Sequence, residues 1–212
     1  MKEVYLFDMD GTLADSMRVA WGVLPLQFLD ERGISYPDTF LKDVVALGVA
    51  GLIRYYKERL HVKESAEEIC RWFLQSGKVL YESKIPAKPF AKQLLLDLKA
   101  KGASVNILTG SPHVFLDTWI KRVGFDAIVD NAWSVDDFSF HKANPELYLH
   151  IASTFGVAPS ACTLLDDSIV PIETAKKAGC KTIAVYDEVS KNAEREMRAV
   201  ADRYIYSFKE LL

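Results

Sequence analysis

Val4-Tyr5-Leu6-Phe7-Asp8-Met9-Asp10-Gly11-Thr12-Leu13-Ala14-Asp15-Ser16 is the stretch whose reading decides the fold. A short apolar run that stops at two acids, followed by Gly and Thr, describes a buried strand ending in a turn that presents carboxylates at its mouth. Ligands of α/β sheets bind beyond the carboxyl ends of the strands, so Asp8 and Asp10 stand where chemistry is done. In extended chain, residues two positions apart point to the same side. One acid is then placed to attack a substrate while the other handles a proton. A dianionic phosphate repels bare carboxylates, so the arrangement calls for a divalent cation and a nearby Lys. Asp and Gly also make ordinary polar turns, so the rest of the chain must supply those partners.

Working outward, the pattern after Ser16 turns helical. Val19, Trp21, Val23, Leu24, Leu26, Phe28 and Leu29 form an apolar stripe that Gly33 stops. Helical stretches over 39–46, 50–60 and 65–81 follow, with breaks near Leu47–Gly48 and at His61–Lys63. The stretch from Ser83 to Pro89 contains two prolines and reads as a hinge. From Phe90 the chain alternates: a helix to about Ala100, a strand 104–108, a helix 114–123, a strand 127–130, a helix 145–155, a strand 162–165, a helix 171–178, a strand 182–185 and a last strand 204–205. This predicts an α/β protein, a parallel, Rossmann-like three-layer sheet core formed by 1–15 and 84–212, with an inserted α-helical domain at 16–83.

Three more stretches fall at strand ends. Thr109-Gly110-Ser111-Pro112 offers hydroxyls and backbone N–H groups at a strand-to-helix turn, suited to a phosphate oxygen or, equally, to capping a helix with Ser111 before Pro112. Lys142 lies in a loop before a helix that starts at Pro145, within reach of the strand ends, although a loop lysine is usually solvated. Asp166 and Asp167 follow a buried strand and supply hard oxygen ligands for Mg²⁺, or an acidic helix N-terminus. His113 and His141 read as incidental polar neighbours.

The 212 residues are half hydrophobic and carry a formal net charge of −3 with acids and bases interspersed. That is enough for a substantial core and shows no basic face for nucleic acid, so small-molecule chemistry is the default. No apolar run reaches the length of a membrane span and no signal-peptide pattern occurs, so the expected location is cytoplasmic. Cys70, Cys162 and Cys180 are widely spaced and read as buried reduced thiols.

Asp8-x-Asp10-Gly11-Thr12, Thr109-Gly110-Ser111, Lys142 and Asp166-Asp167, in this order, resemble the haloacid dehalogenase superfamily over essentially the whole chain. The insert resembles the C1 cap of the branch that holds phosphoglycolate phosphatase and β-phosphoglucomutase relatives. The resemblance implies a Mg²⁺-dependent phosphatase for a small phosphorylated metabolite, with Asp8 as nucleophile and Asp10 as general acid and base. It implies that Thr109, Gly110, Ser111 and Lys142 hold the phosphoryl group. It places the metal on Asp8, the Asp10 carbonyl and Asp167, with Asp166 adjacent. Pro171 stands where the common motif has a further acid, although a variant with adjacent acids also occurs in the family. The mutase branch carries a cap histidine after the first motif. Here that stretch is Ser16-Met17-Arg18-Val19-Ala20-Trp21, which favours hydrolysis over mutase chemistry. A non-catalytic sugar-phosphate binder is the other alternative; a signalling receiver domain would place its acidic pair before the phosphorylated Asp. Arg18, Trp21, Arg54 and Tyr55 are the candidates for lining the cap.

Overall fold

The computed structural model describes residues 2–44 and 48–212. They form two compact units, Met1–Asp15 with Pro86–Leu212, and Ser16–Ile85. The boundary lies two residues beyond the expected 83/84, because Lys84 and Ile85 remain hydrogen-bonded to Leu80 at the end of the last helix of the insert.

The first unit is built on six parallel strands: β1 (Val4–Phe7), β2 (Ser104–Thr109), β3 (Asn131–Ser134), β4 (Cys162–Asp166), β5 (Lys181–Val185) and β6 (Arg203–Ile205). Their spatial order is β3-β2-β1-β4-β5-β6. The chain therefore builds outward from β1 in one direction, then crosses back and builds the other way from β4. The topological switch falls between β1 and β4, where open α/β sheets form their binding crevice. In register, Phe7 pairs with Ile107 on one side and Leu165 on the other, so Asp8 and Asp166 leave the sheet at the same level. Every residue of β2 and β4 is buried, the pattern of parallel strands covered on both faces.

Three of the intervening helices are α5 (Ala91–Ala100), α6 (His113–Val123) and α7 (Pro145–Thr154). The insert's helices are α1 (Leu24–Asp30), α2 (Phe40–Val44), α3 (Gly48–Arg59) and α4 (Ala66–Ser83). The later pair is α8 (Ile169–Lys177) and α9 (Glu194–Val200). One core, containing Val4, Leu6, Leu108, Tyr148, Leu164 and Ile172, lies between the strands and α7, α8 and α9. Cys162 and Cys180 are buried as expected, whereas Cys70 is half-buried.

The helical unit packs on aromatic rings. Phe28 stacks on Tyr56 with centroids 5.0 Å apart and meets Trp72 edge-on at 5.2 Å, while the Arg32 guanidinium lies 3.7 Å over the Phe28 ring. Ser65 and Glu68 form a capping box that fixes the start of α4.

Three expectations need correction. The continuous helix over Val19–Leu29 is instead a π-helical turn, Met17–Trp21, followed by α1. The N–H of Gly22 bonds Met17 O, and a Cβ there would lie 2.7 Å from Arg18 O, so the chain opens before Pro25 starts the next helix. The strand expected at 127–130 forms at Asn131–Ser134. Phe125 and Ile128 close a buried turn instead, and pairing begins only after Asp130 has bonded Val105 through both N–H and carboxylate. Ser111 does not cap α6: Pro112 occupies the N-cap position, without a side-chain capping bond, and His113 is the first helical residue. The part of the expected 39–46 helix at 45–46, and Leu47 of the expected break, lie outside the described residues, beyond which α3 is described from Gly48.

Two acids close the N-terminal ends of strands. Asp130, just before β3, takes the Val105 N–H at 2.9 Å and the Lys99 ammonium; Asp202, just before β6, takes the Thr182 N–H at 2.9 Å and the Lys176 ammonium. Burial raises both acids, but the lysines and the backbone bonds outweigh it and hold both below the ordinary range. A depressed carboxylate stabilises above its unfolded pKa, and that contribution is lost as pH falls through the folded value. Asp202→Asn should cost about 1 kcal/mol at pH 7, allowing for solvent screening. In urea unfolding the difference from the native chain should shrink as pH falls below about 4.

Candidate active site

Asp8 follows the last residue of β1, and its N–H donates to Leu165 O at 2.9 Å, so backbone pairing continues one step past the strand. A tight turn then reverses the chain: Gly11 N–H bonds Ala14 O at 3.0 Å and Ala14 N–H bonds Met9 O at 2.7 Å. Gly11 sits at φ +78°, and a Cβ on it would lie 2.5 Å from Asp167 Oδ2. Only glycine both adopts that conformation without cost and lets the turn lie against the carboxylate.

The structure brings the expected acids and lysine together. Lys142 Nζ pairs with Asp8 Oδ1 and donates to Asp166 Oδ2 at 2.8 Å. Asp166 Oδ1 accepts the Ser168 N–H at 2.9 Å, which fixes the carboxylate plane. Oxygens of Asp8, Asp166 and Asp167 lie within 4.8 Å of one another, and all three residues are buried. Asp10 is held separately: Ser111 Oγ donates to its Oδ2 at 2.5 Å, and Thr109 Oγ1 accepts the Ser111 N–H at 3.0 Å. Thr109 therefore braces the Ser111 loop, and Gly110 is exposed with open space beside its Cα. The carboxylate cluster is formed by Asp8, Asp166 and Asp167, and the Asp10 side chain is turned to Ser111 instead.

Burial, opposed by Lys142 and reinforced by the Asp166 and Asp10 charges, leaves Asp8 raised to about 7. Burial works against the Lys142 charge, yet Asp166 and Asp8 outweigh it and hold the ammonium above its ordinary range. Asp167 is raised well above the usual carboxylate range by burial and then by Asp166, Asp8 and Asp187. Among the described residues no ion pair or hydrogen bond reaches its carboxylate.

Three buried carboxylates against one ammonium leave excess negative charge in a low-dielectric interior, and one carboxylate has no protein partner. An all-oxygen donor set of this kind fits a hard divalent cation such as Mg²⁺, and Asp8 and Asp166 each give one oxygen to Lys142.

Of the other expected residues, Arg18 is exposed and Trp21 half-buried on the π-helical turn, and Arg54 is exposed on α3. The Tyr55 ring packs edge-on against Phe40 at 5.5 Å, a contact within the helical unit. His113 bridges Asp117 and Asp137, tying α6 to the turn after β3. Two groups escaped the sequence reading. Tyr148 on α7 donates its hydroxyl to Lys142 O at 3.0 Å and anchors that loop; its core spacing concealed the polar end. Lys88 and Asp187 form a buried ion pair whose partners lie 99 positions apart, with no local signal linking them.

This fold and site define a haloacid dehalogenase-like hydrolase. The family model matches residues 2–179, and the chain belongs to that family as an enzyme of its hydrolase class. Its relatives include YhcW of Bacillus subtilis (strain 168), 28% identical over 193 residues that span 90% of this chain and 86% of that protein. Hexitol phosphatase B of Escherichia coli (strain K12) is 26% identical over 212 residues, spanning 97% of this chain and 92% of that protein. Among solved structures, CbbY of Rhodobacter sphaeroides in complex with phosphate superposes with a TM-score of 0.82 at 22% identity, covering 100% of this chain and 96% of that one. Among the described residues no helix is long and apolar enough to cross a membrane.

A Gly11→Ala variant should lose about 1–3 kcal/mol of stability from backbone strain and crowding of Asp167, read by thermal unfolding. Asp8 and Asp167, both raised, make stability in cation-free buffer fall as pH climbs from about 4 toward 7, because the folded state then binds more protons than the unfolded. Asp8→Asn should flatten that fall in urea titrations at successive pH values; an unchanged slope would refute the buried-acid account.

Proposed function

We propose that this enzyme is a Mg²⁺-dependent phosphatase that hydrolyses a small phosphomonoester through an aspartyl-phosphate on Asp8. The observation that carries the reading is the Lys142 ammonium bridging Asp8 and Asp166, with Asp10 pinned nearby by Ser111. In the first half-reaction an Asp8 oxygen attacks phosphorus, the ester P–O bond breaks, and Asp10 gives its proton to the departing alkoxide. In the second, Asp10 takes a proton from water as its oxygen attacks phosphorus. The bond to Asp8 then breaks and phosphate leaves. Lys142 and the Ser111 loop receive the phosphoryl oxygens, so charge that spreads over them meets donors already in place. Asp8, the Asp10 carbonyl and Asp167 would hold Mg²⁺, which would supply positive charge to offset the developing negative charge of phosphoryl transfer.

The phosphatase names of the relatives support this chemistry, and hexitol phosphatase B points to a sugar or polyol phosphate as the class of substrate. We read the helical unit as the cap that selects the leaving group, with Arg18, Trp21, Arg54 and Tyr55 as candidate contacts, and the site of action as cytoplasmic.

Phosphate release from a panel of small phosphomonoesters, with and without Mg²⁺, tests the reading. Release should need the cation, and Asp8→Asn and Asp10→Asn should each lower it by about 10²–10⁴-fold with the fold intact by circular dichroism. A folded, Mg²⁺-binding protein that releases phosphate from none of them would instead favour sugar-phosphate mutase or binding activity.

A further inference from the structure

A second buried ion pair stands beside the carboxylates and has no part in the chemistry above. Lys88 Nζ lies 3.0 Å from Asp187 Oδ2 and donates to Tyr186 O at 2.9 Å. The side chains are only 16% and 5% exposed. Each end is fixed: the Lys88 N–H donates to Leu13 O at 2.8 Å, and Asp187 Oδ1 accepts the Val189 N–H at 3.0 Å. Lys88 thus runs from the turn after β1 to the chain that leaves β5. Ala184 of β5 is in register with Asp166 of β4, which sets that departing chain next to Asp167. The turn after β1 also touches Asp167 through Gly11. Both charges of the pair act on Asp167, Asp187 raising its pKa and Lys88 lowering it.

A buried ammonium close to a carboxylate with no partner would be expected to pair with it, since Coulomb attraction is strong away from water. Here the ammonium is engaged elsewhere, by one carboxylate and one carbonyl.

We infer that Asp187 is a positioning residue that holds Lys88 away from Asp167 and so keeps Asp167 open for a divalent cation. The inference rests on the proposed reading of Asp8 and Asp167 as a cation site. In Asp187→Asn the ammonium loses its counter-charge and turns to Asp167, where it competes with the cation. In a double variant with Lys88→Met the competitor is gone.

Binding is read directly, by calorimetric titration of Mg²⁺ and electron paramagnetic resonance titration of Mn²⁺ at fixed pH and salt. Asp187→Asn should weaken both by about 10-fold or more, as expected when most of the sites are occupied by the competing ammonium. Lys88→Met/Asp187→Asn should return to within about threefold of the native chain, a coupling that independent structural damage at two sites would not give. An unchanged affinity in Asp187→Asn, or a double variant no better than the single, overturns the inference while leaving the cation site standing. A native chain that binds neither cation overturns the cation site itself, and the inference with it. If Asp187→Asn does not fold, Lys88→Met alone decides: equal or tighter binding supports the inference, and weakening by about threefold or more overturns it.

Discussion

Three carboxylates that share one buried site repel one another, and that repulsion is the constraint the molecule is built to bear. At the effective dielectric of a protein, two such charges about 4 Å apart cost on the order of 4 kcal/mol. Oxygens of Asp8, Asp166 and Asp167 lie within 4.8 Å of one another, and Lys142 compensates two of these groups directly. The arrangement holds because none of these groups can move far. Asp8 and Asp166 are fixed by strands paired in register, Asp166 by the Ser168 N–H, and the Lys142 loop by the Tyr148 hydroxyl. Electrostatic strain of this kind is held in place by the surrounding structure.

The same sheet end has to tolerate a long insertion. The chain leaves after Asp15 and returns at Pro86. Around those points Ala14 bridges Ala87, Asp15 N–H bonds Pro86 O at 3.0 Å and Lys88 N–H bonds Leu13 O at 2.8 Å. Outgoing and incoming chain are therefore clamped to each other before the insert begins. These contacts tie β1 and the turn after it to the returning chain within the sheet unit itself.

Much of this was legible in residue order. The apolar run before Asp8, the alternation of strands and helices from Phe90, and the positions of Lys142 and the acidic pair all depend on local pattern, which sequence records directly. Where local pattern misled, a contact from elsewhere had prevailed. Ile128 has the makings of a strand residue, but it closes a turn because Asp130 captures Val105 first. The stripe from Val19 to Leu29 suits one helix, but Gly22 and Pro25 divide it.

The sequence by itself determined the class of fold, the two acids after β1 and the order of the partners downstream, because strand length, turn chemistry and charge are properties of neighbouring residues. Tertiary structure alone decided how the acids divide their work. Asp166 and Asp167 are adjacent and chemically identical, yet one faces Lys142 and the other has no protein partner among the described residues. It also joined Lys88 to Asp187 across 99 positions, where both charges act on Asp167. Successive side chains after a strand leave in different directions, and what each one meets is set by the register of strands far apart in the chain.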